Sequence, residues 1–360
     1  METWETRLSA RVDAGAMVKK VSRDRRRRHP MLMPRPRPCG HMHVVVTGGT
    51  GLIGSHLVDR LRARDDEVTV VSRDPTGGDQ IGWDPDDPGS LVLPDTTDAV
   101  VHLAGAPIVG ERWDENRKQA IRSSRVQGTQ RVVEAVEAHG DIQHVVSGSA
   151  VGYYGDRGEE PLDEHAEPGE DFMAQVTQVW EAEARRLEGH EAVDVDPARI
   201  RTGTVLAEES GALPEMLNPF GFVKPFHWGM GGRLGDGQQW FAWIHVEDEV
   251  RAILHVLDEG LSGPFNLVAP GVVRNEQFTE ALGEALGRPT PFPVPEFALR
   301  LMVGEVAEVL TASQRVRSDR LQETGFSFRY PHIRPALADL LGEEDAVPEE
   351  RDREPEAALA

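Results

Sequence analysis

The sequence predicts an α/β fold in which a doubly wound parallel sheet is followed by a smaller C-terminal lobe. Apolar strand-like runs alternate with longer amphipathic stretches from residue 43 onward, and this alternation gives way near residue 207 to glycine-, proline- and aromatic-rich sequence. Such alternation is typical of βαβ units, and almost continuously apolar strands fit a sheet that helices cover on both faces. The predicted strands are 43–47, 67–72, 99–105, 144–149 and 195–206, and the predicted helices between them are 54–64, 114–139 and 172–188.

The first of these units, HVVVTGGTGLIGSHLVDRL, has a glycine-rich turn between its strand and its helix. Its glycines satisfy two spacings at once, G-x-x-G-x-x-G and G-x-G-x-x-G. In such a turn the glycines allow a tight bend, let backbone N–H groups approach a pyrophosphate, and let the helix pack closely on the strand. The context of strand, turn and helix favours dinucleotide binding over a purely structural turn. The predicted cofactor-binding residues here are Thr47, Gly48, Gly49, Thr50, Gly51, Leu52, Ile53 and Gly54.

The end of the second strand carries the residues that distinguish NADP from NAD. A carboxylate at this place binds the ribose 2′-hydroxyl of NAD, whereas a cation accommodates the 2′-phosphate of NADP. Ser72 and Arg73 offer a hydroxyl and a guanidinium that suit a phosphate, so the sequence favours NADP(H). Asp74, one residue further on, keeps NAD(H) possible. As alternatives that involve no cofactor, Arg73 is a solvated surface residue and Asp74 opens a turn before Pro75.

The chain divides into four parts. Residues 1–41 are predicted to be a disordered basic extension, because they hold 11 Lys/Arg against 4 Asp/Glu and show no apolar periodicity. Residues 42–206 are predicted to form the Rossmann-type dinucleotide-binding domain, 207–341 mainly the C-terminal substrate lobe, and 342–360 a disordered acidic tail. Within the lobe we expect 243–257 to return to the first domain as a strand end and a helix, 263–269 to be a strand, and 275–287, 295–310 and 313–324 to be helical.

Composition argues against several functions. From residue 42 onward there are 57 acidic against 28 basic residues, and such a surface repels nucleic acid. No apolar window is long enough to span a membrane, and no clustered metal-ligand spacing occurs, so we predict neither a membrane nor a metal partner. Cys39 is the single cysteine, which rules out an internal disulfide and fits a cytoplasmic location. The acidic excess also favours a halophilic habitat, with an ordinary acidic enzyme as the alternative.

Several ordered motifs carry a family resemblance. TGGTGLIG, VVHLAGAPI, SGSAVGYYGD and GDGQQWFAWIHVEDEVRAI resemble the extended short-chain dehydrogenase/reductase superfamily. RWDENRKQAIRSSRVQGTQ, WEAEARRLE, GPFNLVAP and SQRVRSDRLQETGFSFRYPHI are similar to its epimerase-family subgroup with a DUF1731-type C-terminal segment, here about 289–341. The resemblance covers about residues 43–341. It implies an NAD(P)-binding Rossmann domain with a smaller substrate lobe, and a homodimer as a possible assembly.

The resemblance also implies roles for individual residues. Gly48, Gly51 and Gly54 would contact the pyrophosphate. Ser149, after the strand 144–149, matches the catalytic serine that hydrogen-bonds the substrate oxygen. The residues expected to flank the adenine and the nicotinamide ribose are Leu103, Ala104 and Gly105.

The chain departs from the superfamily in its general base, a tyrosine followed four residues later by a lysine that lowers the tyrosine's pKa. None of its three tyrosines, Tyr153, Tyr154 and Tyr330, has a lysine at that spacing. At the expected place, the start of the helix DFMAQVTQVWEAEA, the motif is missing. Tyr153 or Tyr154 could instead present a phenol as proton donor, with aromatic packing over the cofactor as the alternative.

A second departure concerns the substrate. Where sugar-nucleotide enzymes of the superfamily usually carry an arginine that grips the diphosphate, this chain has Phe241, with Trp240 and Trp243 nearby. The aromatics suit an apolar or flat substrate, or they form the core of the smaller lobe. We expect His245 to cap or pack the junction between the lobes. On the helix 114–139, Lys118 and Arg125 could reach an anion, although a solvated or ion-paired helix face is the alternative.

These observations favour an NADP(H)-dependent oxidoreductase that acts on a small, fairly apolar carbonyl or alcohol. In this hypothesis Ser149 polarises the substrate oxygen, and Tyr153, Tyr154 or a water handles the proton. One alternative is a nucleotide-sugar epimerase or dehydratase. Another is a sensor or scaffold protein that binds NADP(H) without turnover, because the tyrosine–lysine pair is missing.

Overall fold

The computed structural model describes residues 41–191, 193–217, 226 and 231–342. The predictions of disorder for the N-terminal extension and the acidic tail lie outside this part of the chain, apart from His41 and Gly342. The strands in chain order are β1 (His43–Thr47), β2 (Glu67–Ser72), β3 (Gln80–Gly82), β4 (Ala99–His102), β5 (His144–Ala150), β6 (Pro161–Leu162), β7 (Ala198–Thr202), β8 (Thr204–Leu206), β9 (Trp240–Phe241), β10 (Trp243–His245), β11 (Gly263–Leu267), β12 (Val273–Arg274) and β13 (Arg315–Val316). The helices are α1 (Leu52–Ala63), α2 (Glu115–His139), α3 (Phe172–Ala184), α4 (Ala212–Leu217), α5 (Val246–Asp258), α6 (Asn275–Ala285), α7 (Glu296–Val303), α8 (Val306–Thr311), α9 (Asp319–Glu323) and α10 (Ile333–Leu341).

Seven of these strands form one sheet in the order β11-β7-β5-β4-β1-β2-β3, and every neighbouring pair is parallel. The chain runs outward from β1 to β3 and then returns to β4 on the other side of β1. This reversal is a topological switch point, where open α/β sheets bind ligands in a crevice beyond the carboxyl ends of the strands, here β1 and β4. The predicted doubly wound parallel sheet is therefore confirmed.

Helices cover both faces of the sheet because successive strand side chains point to opposite sides. In β1, Val44 and Val46 join the core beneath α1 and α5, whereas Val45 joins the core beneath α2. All three valines are fully buried, so three consecutive positions of the strand are apolar rather than every second one. Each face of the sheet thus has its own hydrophobic core.

The observed elements differ from the predicted ones in several places. The predicted strand 195–206 is two strands, because at Gly203 the chain leaves the central sheet and β8 pairs with β10 instead. β3 was not predicted, since three residues are too few to show a period. The predicted helix 295–310 is broken at Gly304, whose φ is 67°. The predicted helix 313–324 begins with β13, which pairs with β6, and only its second half is helical.

The C-terminal part of the chain packs against the dinucleotide-binding domain. As predicted, α5 returns to that domain and lies in the core beneath β1. β11 goes further and joins the central sheet as its edge strand beside β7. The buried carboxylate of Asp248 on α5 accepts hydrogen bonds from the backbone N–H groups of Arg329 and Tyr330, at 2.8 and 2.7 Å. None of the helices in the described ranges is long and apolar enough to cross a membrane.

Candidate cofactor and active site

The glycine-rich loop after β1 touches the turn that follows β4. Gly48 has a φ of 72°, and a Cβ atom there would lie 2.8 Å from the backbone nitrogen of Ala104 and 2.8 Å from the carbonyl carbon of Leu103. A Cβ atom on Gly54 would clash with the carbonyl oxygen of Gly48. A Cβ atom on Gly49 would lie 2.9 Å from a side-chain methyl group of β2. Backbone contacts therefore require glycine at Gly48 and Gly54, and a side-chain contact restricts Gly49.

The N-terminus of α1 presents free backbone N–H groups at this loop. Its N-cap residue is Gly51, which has no side chain to accept a hydrogen bond, and the first turn contains no acidic residue. The first N–H groups of a helix lack internal partners, and together with the helix dipole they favour an anion. A groove of about 360 Å³ beside the loop is lined by Gly49, Thr50, Ser55, Val58, Asp59, Arg62, Val70, Asp79 and Gln80. The free N–H groups at the start of α1 fit the pyrophosphate of a dinucleotide.

Ser72 and Arg73 lie at the carboxyl end of β2, next to this groove in the sheet. Arg73 is exposed, and no acidic residue in the described part of the chain pairs with it. Ser72 is half-buried, and its hydroxyl oxygen accepts a hydrogen bond from the backbone N–H of Asp74 at 3.2 Å. The guanidinium is therefore available for an external anion, and the Ser72 hydroxyl still has a proton to donate.

A buried chain of side chains fixes the turn after β4. The hydroxyl of Thr47 lies 2.6 Å from Nδ1 of His102, and Nε2 of His102 lies 3.0 Å from the hydroxyl of Thr129. The Thr47 oxygen also accepts from the backbone N–H of Ala104 at 3.4 Å. Burial, together with the nearby charge of Arg125, lowers the pKa of His102 to about 4, so its ring is neutral at pH 7. The side chain of Thr47 thus holds the Leu103–Gly105 turn against the glycine loop.

Ser149, the predicted catalytic serine, is buried and donates its hydroxyl proton to the carboxylate of Glu181 at 2.7 Å. Glu181 also receives two hydrogen bonds from the guanidinium of Arg201, at 2.7 and 2.9 Å. Burial by itself lowers the pKa of Arg201, but the hydrogen bonds and charge of Glu181 raise it overall. The serine proton is therefore engaged inside the protein, and this geometry does not aim it at a substrate.

Tyr154 belongs to the same network. Its side chain is fully buried, and its hydroxyl accepts a hydrogen bond from Arg201 at 3.0 Å and donates one to Asn266 at 2.7 Å. Burial raises the pKa of Tyr154 to about 12. The Tyr154 hydroxyl is shielded from solvent and already donates one hydrogen bond and accepts another, so its role is structural. The expectation that Tyr154 presents a proton to substrate finds no support in this geometry.

Tyr153 has a different environment from its neighbour. It is half-buried, and the guanidinium carbon of Arg201 lies 3.6 Å from the centre of its ring. The Tyr153 and Tyr154 rings meet edge to face at 5.4 Å. No described residue forms a hydrogen bond with the Tyr153 hydroxyl. Of the three predicted catalytic side chains, only Tyr153 keeps its hydroxyl proton available.

Sequence reasoning missed four members of this network, which are the charged residues Glu164, Glu181 and Arg201 and the amide Asn266. The sequence did contain a signal for this network, because two charged residues stand among apolar residues of a strand and of a helix. Arg201 lies in a strand that is otherwise buried, and Glu181 lies beside Trp180 on the apolar face of α3. Buried charges are found almost only when they are paired, so each of the two pointed to a partner.

The aromatic residues of the smaller lobe lie mainly in its core. Trp243 is fully buried, and the ring of Phe241 packs on Phe278 at 4.6 Å. Trp240 is half-buried, and the guanidinium groups of Arg274 and Arg315 lie 4.4 and 4.9 Å from its ring centre. Phe241 and Trp243 therefore follow the core interpretation, whereas Trp240 contributes to the surface.

His245 caps α5, as predicted. Its Nδ1 accepts a hydrogen bond from the backbone N–H of Glu247 at 3.1 Å, and its ring stacks on Tyr330 at 4.0 Å. Lys118 follows the ion-paired alternative, because it pairs with Glu305 and ties α2 to the α7–α8 turn. Within the described residues, no group of three or more His, Cys, Asp or Glu side chains could hold a metal ion.

Comparison with known proteins places the chain in a family. The model described as "NAD dependent epimerase/dehydratase family" matches residues 44–267, and the model described as "Domain of unknown function (DUF1731)" matches residues 294–340. The chain belongs to the NAD dependent epimerase/dehydratase family. The resemblance seen in the sequence motifs is thereby confirmed, including its C-terminal segment.

Three relatives show how far the similarity extends. The "Epimerase family protein SDR39U1 homolog, chloroplastic" of Arabidopsis thaliana is 38% identical over 312 residues, covering 83% of this chain and 87% of that protein. The crystal structure of human epimerase family protein SDR39U1 (isoform 2) with NADPH matches with a TM-score of 0.75 and 33% identity, covering 83% of this chain and 99% of that one. A nucleoside-diphosphate sugar epimerase from Corynebacterium glutamicum matches with a TM-score of 0.68 and 32% identity, covering 86% of this chain and 60% of that one.

Proposed function

We propose that this member of the family is an NADP(H)-dependent oxidoreductase of the extended short-chain dehydrogenase/reductase type, acting on a small, fairly apolar carbonyl or alcohol. The observation that carries the proposal is the glycine loop with the free N-terminus of α1 on one side and the unpaired Arg73 on the other. The human relative solved with NADPH supports the same cofactor. We expect NADP(H) to be preferred and NAD(H) to bind more weakly.

The residues of the crevice fit this cofactor. The backbone of Gly48, Gly51 and Gly54 and the first N–H groups of α1 would hold the pyrophosphate, since no side chain fills that space. Ser72 and Arg73 would hold the 2′-phosphate through a hydroxyl and a guanidinium. When bound, NADP(H) supplies the hydride. The protein's part is to bind and orient both molecules and to provide a proton.

We propose Tyr153 as the proton donor. Its hydroxyl has no partner among the described residues, whereas the Ser149 proton is donated to Glu181 and Tyr154 is buried. The guanidinium of Arg201 against its ring holds the side chain in place. A neutral phenol is able to give a proton to a carbonyl oxygen as it becomes an alcohol.

The proposal of a small apolar substrate rests on Phe241. At this position the side chain packs on Phe278 and offers no guanidinium for a diphosphate. Arg274, which lies near Trp240, is paired with Glu159 at 2.8 Å. A homodimer, a cytoplasmic location and a high-salt habitat stay predictions from the sequence.

The cofactor proposal is tested by calorimetric titration of NADPH and NADH into wild type and Arg73→Ala. We expect wild type to bind NADPH more tightly, and the variant to lose at least about tenfold in NADPH affinity, which corresponds to ~1.4 kcal/mol, with little change for NADH. Arg300→Ala is the matched control, because Arg300 is an exposed arginine on α7. Equal affinities of wild type for both cofactors would contradict the assignment of Arg73.

The reaction is tested with a panel of ketones, aldehydes and quinones in the presence of NADPH. An oxidoreductase consumes NADPH with at least one of them, and Tyr153→Phe should lower turnover by about 100-fold or more with unchanged NADPH affinity. Full activity in Tyr153→Phe would exclude that residue as the proton donor.

Two other functions have support and give different results in this experiment. The Corynebacterium glutamicum neighbour favours a nucleotide-sugar epimerase, which would interconvert a UDP- or GDP-sugar without net consumption of cofactor. The engagement of Ser149 and the burial of Tyr154 favour a protein that binds NADP(H) without turnover. Such a protein would bind NADPH tightly and consume it with no member of the panel.

A further inference from the structure

Arg125 is a buried cation behind the turn that follows β4. Only 8% of its surface is exposed, and its Nη1 donates hydrogen bonds to the carbonyl oxygens of Ala106 at 3.0 Å and Ile121 at 3.2 Å. Its neighbour Ser124 accepts from the backbone N–H of Ala106 at 3.0 Å. Two successive residues of α2 thus hold Ala106, Ser124 at its N–H and Arg125 at its carbonyl oxygen.

The charge of Arg125 has no counterpart in the described part of the chain. The other two buried arginines, Arg199 and Arg201, are each paired with a glutamate. Arg125 pairs with no carboxylate among the described residues, and its buried Nε finds no acceptor there. Burial, and then the like charge of Arg117, lowers the pKa of Arg125 to about 10, so the side chain is still a cation at pH 7. A buried charge without a partner is unfavourable, which is a reason to expect an external anion.

The guanidinium of Arg125 packs against Gly105. Its Nη2 forms no hydrogen bond with any described residue and lies 3.5 Å from the place of a Cβ atom on Gly105. Gly105 is exposed, and the preceding residue, Ala104, touches the glycine loop at Gly48. On the other side, the guanidinium carbon lies 5.2 Å from the ring centre of Trp180. The aromatic cover lowers the local dielectric constant, so an anion at Nη2 would interact strongly.

We infer that Arg125 binds an anionic oxygen of a small molecule in the crevice, beside Gly105 at the carboxyl end of β4. The inference rests on the proposed function. Two sources share this chemistry: a phosphate of the dinucleotide, and a carboxylate on the second substrate. In either case the positive charge of Arg125 is compensated only when the anionic ligand is bound. Arg125 is then a binding residue in addition to the glycine loop and Arg73.

The test is calorimetric titration of wild type, Arg125→Met and Arg125→Lys, first with NADPH and then, at saturating NADPH, with acetate and benzoate. Arg131→Met is the matched control, since Arg131 lies on the same helix and already pairs with Glu134. If the anion is a cofactor phosphate, Arg125→Met lowers NADPH affinity by about tenfold or more, and Arg125→Lys by less. If it is a substrate carboxylate, NADPH affinity is unchanged and the variant loses the carboxylate binding seen in wild type.

A purely structural role gives a different pattern. In that case Arg125→Met unfolds at lower denaturant concentration but binds NADPH and the carboxylates as wild type does, and the inference is overturned. If Arg125→Met does not fold, Arg125→Lys decides, because it keeps the charge but loses the paired donors of the guanidinium: unchanged affinities overturn the inference, and a loss of a few fold supports it. Absence of NADPH binding in wild type would instead remove the proposed function itself.

Discussion

On one side of the switch point, around β1 and β2, the polar groups that face the crevice belong mainly to the backbone. They are the N–H groups of the glycine loop and of the first turn of α1, and close backbone contacts at Gly48 and Gly54 leave no room there for a Cβ atom. On the other side, around β5, β7 and β11, the polar groups belong to side chains. Ser149, Glu181, Arg201 and Tyr154 there form a buried network that is closed by Asn266.

The two sides should therefore respond to opposite kinds of substitution. The backbone site is sensitive to added volume, since any side-chain atom enters space that a ligand or a neighbouring peptide needs. The side-chain network is sensitive to removed charge, since each member compensates another in a medium that water does not reach. A ligand-binding phenotype is expected on the first side, and a stability phenotype on the second.

The largest effect on cofactor binding is expected for Gly54→Ala. The added Cβ atom meets the carbonyl oxygen of Gly48, so the loop must open and its N–H groups lose their alignment. NADPH affinity should fall by at least about 100-fold, which corresponds to ~2.8 kcal/mol, in a calorimetric titration. Gly78→Ala is the control, because nothing lies within 4 Å of a Cβ atom at that position. Tight NADPH binding by the Gly54 variant would show that the backbone does not form the site.

The next effect is on stability. Glu181→Gln removes the carboxylate that compensates Arg201 and accepts the Ser149 proton, in a side chain that is 97% buried. Leaving a buried charge without its partner should reduce the free energy of unfolding by about 3–5 kcal/mol, measured by urea denaturation. Glu183→Gln on the same helix should change it by less than about 1 kcal/mol, because its pair with Arg186 is partly exposed to solvent. Equal losses in the two variants would contradict a buried network.

The sequence allowed the backbone side to be predicted almost residue by residue. A β-branched strand, glycines at fixed spacing and an amphipathic helix are local in the chain, and each has one physical reading. Arg73, the cation after β2, was predicted from its position directly after the second strand. The structure adds that Gly48 is also needed for the contact with Ala104, a residue more than fifty positions away.

The network side could not be predicted in the same way. Glu181 and Arg201 are 20 positions apart, and Tyr154 and Asn266 are 112 positions apart. The first pair joins α3 to β7, and the second needs β11 to become the neighbour of β7, an order that the alternation of elements does not determine. The sequence motif predicted catalytic roles for Ser149 and Tyr154, but nothing local showed that their hydroxyl groups are engaged inside the protein.

Another buried group, Glu249 on α5, should make the free energy of unfolding depend on pH. Burial raises its pKa from 4.5 to about 8, and the hydrogen bond from Thr202 at 2.7 Å offsets this only in part. Above pH 4.5 the unfolded state releases the Glu249 proton, whereas the folded state keeps it up to about pH 8. The protonated carboxyl therefore contributes to the free energy of unfolding below pH 4.5, and this contribution is lost as the pH rises through about 8.

Glu249→Gln should remove this dependence. Between pH 5 and pH 7 the free energy of unfolding of wild type should fall by about 2–3 kcal/mol relative to that variant, at ~1.4 kcal/mol per pH unit. The measurement is urea denaturation at both pH values. Glu247→Gln, two residues away and partly exposed, should keep the wild-type slope. Parallel curves for wild type and Glu249→Gln would show that the carboxyl is ionised in the folded protein.

The smallest expected effect is the difference in stability between variants of the two adjacent tyrosines. Tyr154→Phe removes the hydroxyl between Arg201 and Asn266 and should lower the free energy of unfolding by about 1–2 kcal/mol, because both partners stay buried. Tyr153→Phe should change it by less than about 0.5 kcal/mol, since its hydroxyl has no partner among the described residues.

A double-mutant cycle of Tyr154→Phe with Asn266→Ala makes the distinction sharper. Asn266 also donates from Nδ2 to the carbonyl oxygen of Arg317 at 2.8 Å, so the network reaches the C-terminal segment. A coupling energy of about 0.5 kcal/mol or more between Tyr154 and Asn266 is expected, and none between Tyr153 and Asn266. Coupling to Tyr153 instead would exchange the roles of the two phenols: Tyr153 would be structural, and the proton donor proposed here would have to be sought elsewhere in the crevice.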